Sequence, residues 1–320
     1  MTVMKAVVVH EAGGPEVLEL ETRPIPEPKH GEIRIAVKAF GLNRSELFTR
    51  QGHSPSVVFP RILGIEAVGV VDAAPGGEFA QGDMVATVMG GMGRQFDGSY
   101  AEFTCVPAGQ VRMIASTLDW ETLGALPEML QTAWGALFSS LHLVAGHRLL
   151  VRGGTTSVGM AAIALARRAG AHVTATTRRQ ERVELLENLG ADRVLLDNGD
   201  LSSIDTRFDR VLELIGATTL QDSLHCTERD GVVCMAGIVG NAWTIPDFAP
   251  MDAIPNRVSL TSYSGEPEDF LSMPLQALVE DVARGNLKVK IGRVFGIDDI
   301  VEAHRCMEAN EAEGKIVVLV

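Results

Sequence analysis

Short apolar runs alternate with helical patterns through the middle of the chain. Arg148–Arg152 is an apolar run closed by a glycine turn, which predicts a buried strand. The Ala-, Leu- and Ile-rich stretch Met160–Ala169 predicts a helix. Further strands are expected at His172–Thr176, Arg193–Leu196, Arg210–Leu214, Val232–Ala236 and Val258–Ser262, and a polar helix at Gln180–Leu189. Six strands with helices between the early ones predict an α/β domain with a doubly wound parallel sheet, assigned to residues 125–264.

The flanks follow a different period. Lys5–Val9, Leu18–Glu21, Glu32–Ala39, Ala67–Asp72, Met84–Met89 and Ala101–Val106 are β-like runs punctuated by Gly and Pro turns. They predict a small β-barrel-like domain over 1–124. Residues 265–320 return to mixed character. Helices are expected at Leu275–Arg284 and Asp298–Glu308, and strands at Val294–Phe295 and Lys315–Val320.

The turn after Arg152 reads Gly153-Gly-Thr155-Thr156-Ser157-Val158-Gly159. A strand, a Gly-rich turn and a helix start together aim backbone N–H groups at a pyrophosphate. Thr156 stands where a central glycine is common, and the hydroxyls of Thr155, Thr156 and Ser157 are candidate phosphate donors. The second strand ends in Thr176-Thr177-Arg178-Arg179 with no acid at the tip. An NAD site places an acid there for the ribose hydroxyls, whereas hydroxyls and guanidinium groups suit a 2′-phosphate. NADPH is therefore the expected cofactor; solvated helix-start charges are the alternative reading of the two arginines. Strand ends also nominate Ile215 and Gly216, Gly237, Ile238 and Val239, and Tyr263.

Composition narrows the partners. The net charge of −13 over 320 residues argues against nucleic acid or an anionic membrane. No basic start precedes a long apolar core, and no apolar run approaches the ~20 residues of a membrane span, so a cytoplasmic protein is expected. Cys105, Cys226, Cys234 and Cys306 are scattered and read as reduced thiols.

Several segments, in this order, carry a resemblance. They are Gly13-Gly-Pro-Glu-Val-Leu-Glu-Leu20, Ala39-Phe-Gly-Leu-Asn-Arg-Ser-Glu46, Phe59-Pro-Arg-Ile-Leu-Gly-Ile-Glu66 and Gly98-Ser-Tyr-Ala-Glu-Phe103. Gln131-Thr-Ala-Trp134, Gly153 to Gly159, Leu189-Gly-Ala-Asp192, Ala303-His304 and Gly314-Lys-Ile-Val317 follow. Over essentially its whole length the chain resembles the zinc-independent quinone oxidoreductase branch of the medium-chain dehydrogenases/reductases. The resemblance implies a Rossmann domain, a GroES-like β-barrel substrate domain built from both flanks, and a homodimer. It also implies that Thr132 lies beside the nicotinamide.

Zinc-dependent relatives carry a Cys in a G-x-C turn and a His in a G-H-E turn. Here the positions hold Asn43 and Ile65, and the four-Cys structural lobe is missing, so no metal is expected. Asn43 is either a hydrogen-bonding partner of substrate or cofactor or a turn-stabilising residue. Glu66 reads as a packing or turn residue. Without a metal, hydride transfer suits a quinone or a conjugated carbonyl, whose added charge delocalises, better than a simple alcohol. An enone or enoyl double-bond reductase, or a non-catalytic NADPH-binding protein, are the alternatives. Tyr100 reads as structural, and solvent supplies the proton.

Overall fold

The computed structural model describes every residue except Met1, Pro55 and Ser202. The chain divides into two compact units. The first comprises Met1–Glu128, Glu266–Arg284 and Ile291–Val320, and the second Met129–Gly265 and Gly285–Lys290. The sequence assigns all of 265–320 to the flanking domain, whereas Gly285–Lys290 belongs to the second unit. Lys288 anchors it there by donating to the Asn188 carbonyl at 2.6 Å.

The second unit contains a six-stranded parallel sheet. Its strands are β1 (Arg148–Arg152), β2 (His172–Thr177), β3 (Arg193–Leu196), β4 (Phe208–Glu213), β5 (Thr227–Met235) and β6 (Ser259–Ser262). Their order is β3-β2-β1-β4-β5-β6, with the reversal beside β1. All six expected strands are present, and every neighbouring pair is parallel. Leu149, Leu150 and Val151 of the central β1 are fully buried, as a strand covered on both faces requires. Helix α1 (Ser157–Arg168) follows it. Leu150, Phe208, Val211, Leu224 and Val233 form one core cluster of this unit.

The first unit is built on a seven-stranded sheet. Glu32–Gly41 is its longest strand and alternates buried with part-exposed positions through most of its length, the period-two pattern that predicted it. Strands Glu66–Ala73, Lys315–Leu319 and Phe103–Pro107 all pair with it antiparallel. A three-stranded sheet of Leu18–Pro24, Val3–Val9 and Arg61–Ile62 accompanies it. The short helix Arg44–Arg50 is an element the sequence reading did not anticipate. Ile33, Ile35, Val71, Val85, Met92 and Val106 form a core cluster here.

Candidate active-site elements

In the second unit, the chain turns upward out of β1 at Gly153, whose φ of +91° is a left-handed conformation that favours glycine. Gly159 lies in the first turn of α1. A Cβ there would stand 2.4 Å from the Gly153 carbonyl oxygen, so only glycine allows the helix so close to the loop. Thr156 caps the helix. Its Oγ1 accepts from the Gly159 N–H at 2.9 Å and donates to the Gly153 carbonyl at 3.0 Å. The expected phosphate-donating role of the Thr156 hydroxyl is thus corrected: its proton is committed to the loop itself. Ser157 and Val158 open α1, so their N–H groups precede its first intrahelical bond, and Thr155 and Ser157 carry hydroxyls in the same turn.

The strand tip also differs from expectation. Thr176 and Thr177 are buried, not presented outward. Thr176 Oγ1 accepts from the Gly153 N–H at 3.1 Å, and Thr177 Oγ1 accepts from the Arg179 N–H at 3.1 Å. Hydroxyls so engaged hold backbone in place. Arg178 and Arg179 are exposed beyond them.

At the ends of β4 and β5 the structure brings Ile215 and Gly216 beside Gly237, Ile238 and Val239. Val239 N–H donates to the Leu214 carbonyl at 3.2 Å and Gly240 N–H to that of Ile215 at 2.8 Å. Side chains are excluded where these backbones meet: a Cβ on Gly237 would lie 2.5 Å from the Leu214 carbonyl oxygen. Tyr263 follows β6 and packs its ring over Gly135, and Thr132 is buried in the helix Pro127–Trp134. A close-packed glycine turn, a helix start and two exposed arginines are the elements this unit offers to a dinucleotide.

In the first unit, Asn43 belongs to a buried polar cluster that the sequence reading missed. Lys315, the first residue of the last strand, is 1% exposed, and Glu66 is fully buried. Lys315 Nζ lies 2.8 Å from Glu66 Oε1 and 3.4 Å from Glu128 Oε2, and it donates to Asn43 Oδ1 at 2.5 Å. Asn43 Nδ2 donates to Glu66 Oε1 at 2.9 Å, with longer contacts to Glu46 Oε1 (3.3 Å) and the Gly41 carbonyl (3.4 Å). Glu66 Oε2 accepts from the Glu128 N–H at 2.8 Å. Glu66 is therefore the centre of an ion-pair cluster, a correction to its reading as a packing or turn residue. Asn43 precedes the helix Arg44–Arg50 without capping it, because its side chain is turned into this cluster. Ile65 is buried beside Glu66.

The charges of the cluster follow from burial and proximity. Burial alone would discharge Lys315, but Glu66, Glu128 and Glu46 around it raise its pKa and keep it an ammonium. Glu66 is pushed up by burial and by Glu128, against the pull of Lys315. Glu46 is pushed up to about 8 by burial first and by Glu66 second, opposed by the Ile65 N–H and Lys315. Nearby, Tyr100 Oη and His304 Nε2 are 3.0 Å apart, and burial drives His304 down to about 3. Tyr100 is fully buried and stacks on Phe40, consistent with a structural role.

A pH dependence of stability follows. Glu46 titrates near 4.5 in the unfolded chain and near 8 when folded, so between those values the folded state holds the extra proton. That contribution is full below 4.5 and is lost as pH rises towards 8. His304 acts in the opposite sense: its stabilisation is present above its unfolded value of 6.5 and is lost as pH falls towards 3. Between 6.5 and 8 only the Glu46 slope remains of the two, on the order of 1.4 kcal/mol per pH unit. Urea midpoints of the wild type should therefore fall from pH 6.5 to 8. Glu46→Gln, which keeps an oxygen for the Ile65 N–H, should flatten that fall; an unchanged slope would place the proton elsewhere.

Among the described residues, the group of three or more His, Cys, Asp or Glu side chains placed to share a metal ion is His10, Glu19 and Glu21 on the surface. The Asn43 cluster is not such a group.

Comparison with known proteins places these elements. A family model described as "Alcohol dehydrogenase GroES-like domain" matches residues 29–116, and one described as "Zinc-binding dehydrogenase" matches 189–318. The quinone oxidoreductase of Pongo abelii is 30% identical over 99% of this chain and 98% of its own length. The chain belongs to the quinone oxidoreductase branch of the medium-chain dehydrogenase/reductase family. It is an oxidoreductase of that family, with the Rossmann and GroES-like fold. Two solved structures of family-like fold bear on the cofactor. An NAD-dependent alcohol dehydrogenase superposes with a TM-score of 0.87 at 28% identity, covering 99% of this chain and 100% of its own. The mycobacterial protein Rv1454c, solved with NADPH, superposes with a TM-score of 0.85 at 27% identity, again covering 99% and 100%. The family shares pyridine-nucleotide binding, and the relatives point to a small-molecule substrate. No helix among the described residues is long and apolar enough to cross a membrane.

Proposed function

We propose that this protein reduces a quinone, or a closely related conjugated carbonyl, with NADPH and without zinc. The observation that carries the reading is the pair Asn43 and Ile65 at the turns where zinc relatives hold Cys and His. Neither side chain is a zinc ligand of the usual kind, and the amide of Asn43 is already joined to Lys315 and Glu66. When bound, a reduced nicotinamide supplies the hydride. The chain's own part is to hold and orient. The glycine loop and the start of α1 take the pyrophosphate, Arg178 and Arg179 the 2′-phosphate, and Thr132 and Tyr263 the nicotinamide end. Asn43 has one amide proton held only by contacts of 3.3–3.4 Å, and this is the donor available to orient a substrate oxygen. A quinone accepts hydride as a delocalised anion, so water can complete the protonation and no buried acid is required. We place the protein in the cytoplasm as a homodimer, in keeping with its family resemblance and free thiols.

The test is a substrate panel under one buffer condition, with and without a chelator. A small quinone should be turned over best, an enone next and a short alcohol poorly, with no loss on chelation. Best activity on the alcohol, or loss of quinone turnover with the metal, would overturn the proposal. Turnover of the enone alone would move the protein to double-bond reduction.

A further inference from the structure

Beneath the glycine loop lies a buried ionic hub, Arg152, which the sequence reading took only as the end of a strand. Its side chain is fully buried. Nε and Nη2 grip the two oxygens of Asp197 at 2.8 and 3.0 Å. Nη1 lies 2.6 Å from Asp222 Oδ2 and also donates to Ser223 Oγ (3.1 Å) and the Thr219 carbonyl (3.2 Å). Two chains of hydrogen bonds leave this hub. One runs from Asp197, whose N–H donates to the Thr177 carbonyl at 2.9 Å, to the end of β2, where the Thr176 hydroxyl accepts from the Gly153 N–H at 3.1 Å and the Thr176 carbonyl from the Gly154 N–H at 3.0 Å. The other runs from Ser223 Oγ, which donates to Glu213 Oε2 at 2.5 Å. Glu213 Oε1 then accepts from the N–H groups of Ile215 (2.7 Å) and Gly216 (3.0 Å). Asp197 also takes the Gly199 N–H at 2.8 Å.

One cation thus fixes the backbone of two segments at the carboxyl ends of β1 and β4. Buried ion pairs rarely stabilise more than apolar side chains of the same volume would. What they do supply is direction: a bidentate guanidinium–carboxylate pair holds one orientation, and each hydrogen bond downstream inherits it. An anion site made of backbone amides depends on that orientation, because binding falls off when donors must first be reorganised.

We infer that Arg152, Asp197 and Thr176 are positioning residues for dinucleotide binding, setting the geometry of the Gly153–Gly159 loop through the Thr176 hydroxyl. The inference rests on the reading of that loop as the pyrophosphate site. Since the pyrophosphate is common to both dinucleotides, the hub governs the affinity for NADPH and NADH by the same factor, unlike the arginines of the strand tip.

The experiment titrates NADPH and NADH by calorimetry into the wild type, Thr176→Val, Thr176→Ser and Asp197→Asn, with thermal melting alongside. Thr176→Val keeps the volume and removes the hydroxyl. It is expected to weaken both dinucleotides about tenfold with their ratio unchanged, and Thr176→Ser to return both to within about twofold. Asp197→Asn, which keeps a carbonyl for Arg152 but breaks the charge-assisted grip, is expected to move both affinities in the same direction. It carries the test if the valine variant does not fold. Affinities within twofold of wild type in a folded variant, whatever the melting temperature does, overturn the inference while leaving the cofactor reading intact. A change in the NADPH-to-NADH ratio overturns it as well. A wild type that binds neither dinucleotide overturns both.

Discussion

Lys315→Met is expected to destabilise the protein by about 3–5 kcal/mol at neutral pH. The side chain is 1% exposed and lies within 3.4 Å of two carboxylates, Glu66 and Glu128. Methionine fills much of the volume but leaves Glu66 buried with no counter-charge, and the desolvation of that carboxylate is then uncompensated. The loss should shrink as pH falls, because Glu66, already pushed up by burial, can take a proton instead. Asn43 Oδ1 loses its donor in the same substitution, so quinone turnover should fall with stability. The double variant Lys315→Met/Glu66→Gln removes both charges and should regain much of the stability lost by the single one. Urea unfolding of the two single variants and the double variant measures the coupling directly. A double variant no more stable than Lys315→Met would mean that packing, not charge, is what Lys315 provides.

Neutralising the correct strand-tip arginine, Arg178→Ala or Arg179→Ala, should weaken NADPH binding by about 1.5–3 kcal/mol, about one to two powers of ten, and leave NADH nearly unchanged. The two side chains are exposed, while Thr176 and Thr177 beneath them are buried and bonded inward. The arginines are therefore the cationic side chains that the tip exposes. Asp197, whose N–H donates to the Thr177 carbonyl at 2.9 Å, is held below the usual carboxylate range. Burial opposes its charge, but the Arg152 guanidinium outweighs it, so this carboxylate is already engaged. Of two solved structures of similar likeness, one is an NAD-dependent alcohol dehydrogenase and the other was solved with NADPH, so the shared fold does not by itself set the dinucleotide. Calorimetric titration of both cofactors decides it. Equal losses for NADPH and NADH would point to a displaced loop, and no loss for either variant would move the phosphate elsewhere.

The sequence by itself determined the six strands of the parallel sheet, the glycine turn after Arg152 and the substitution of both expected zinc ligands. Each of these is local. A run of buried residues such as Leu149 to Val151 has its own period, Gly153 and Gly159 are required by backbone conformation and close approach, and Asn43 and Ile65 are read off their turns. Boundaries shifted by a few residues; β5 begins at Thr227, where Val232 was expected, because the exposed residues before it pair less regularly.

Only the tertiary structure decided which charges are internal. Lys315 meets Asn43 across 272 residues and Glu128 across 187, and Arg152 meets Asp197 across 45 and Ser223 across 71. In one dimension each is an ordinary charged residue at a strand end, where solvation is the usual fate. The same holds for the Thr176 hydroxyl, whose residue type suits a phosphate equally well but which the chain turns towards the Gly153 N–H. A charge is buried only where distant segments supply its partners together, and that convergence is set by strand order and packing, not by any pattern near the residue itself.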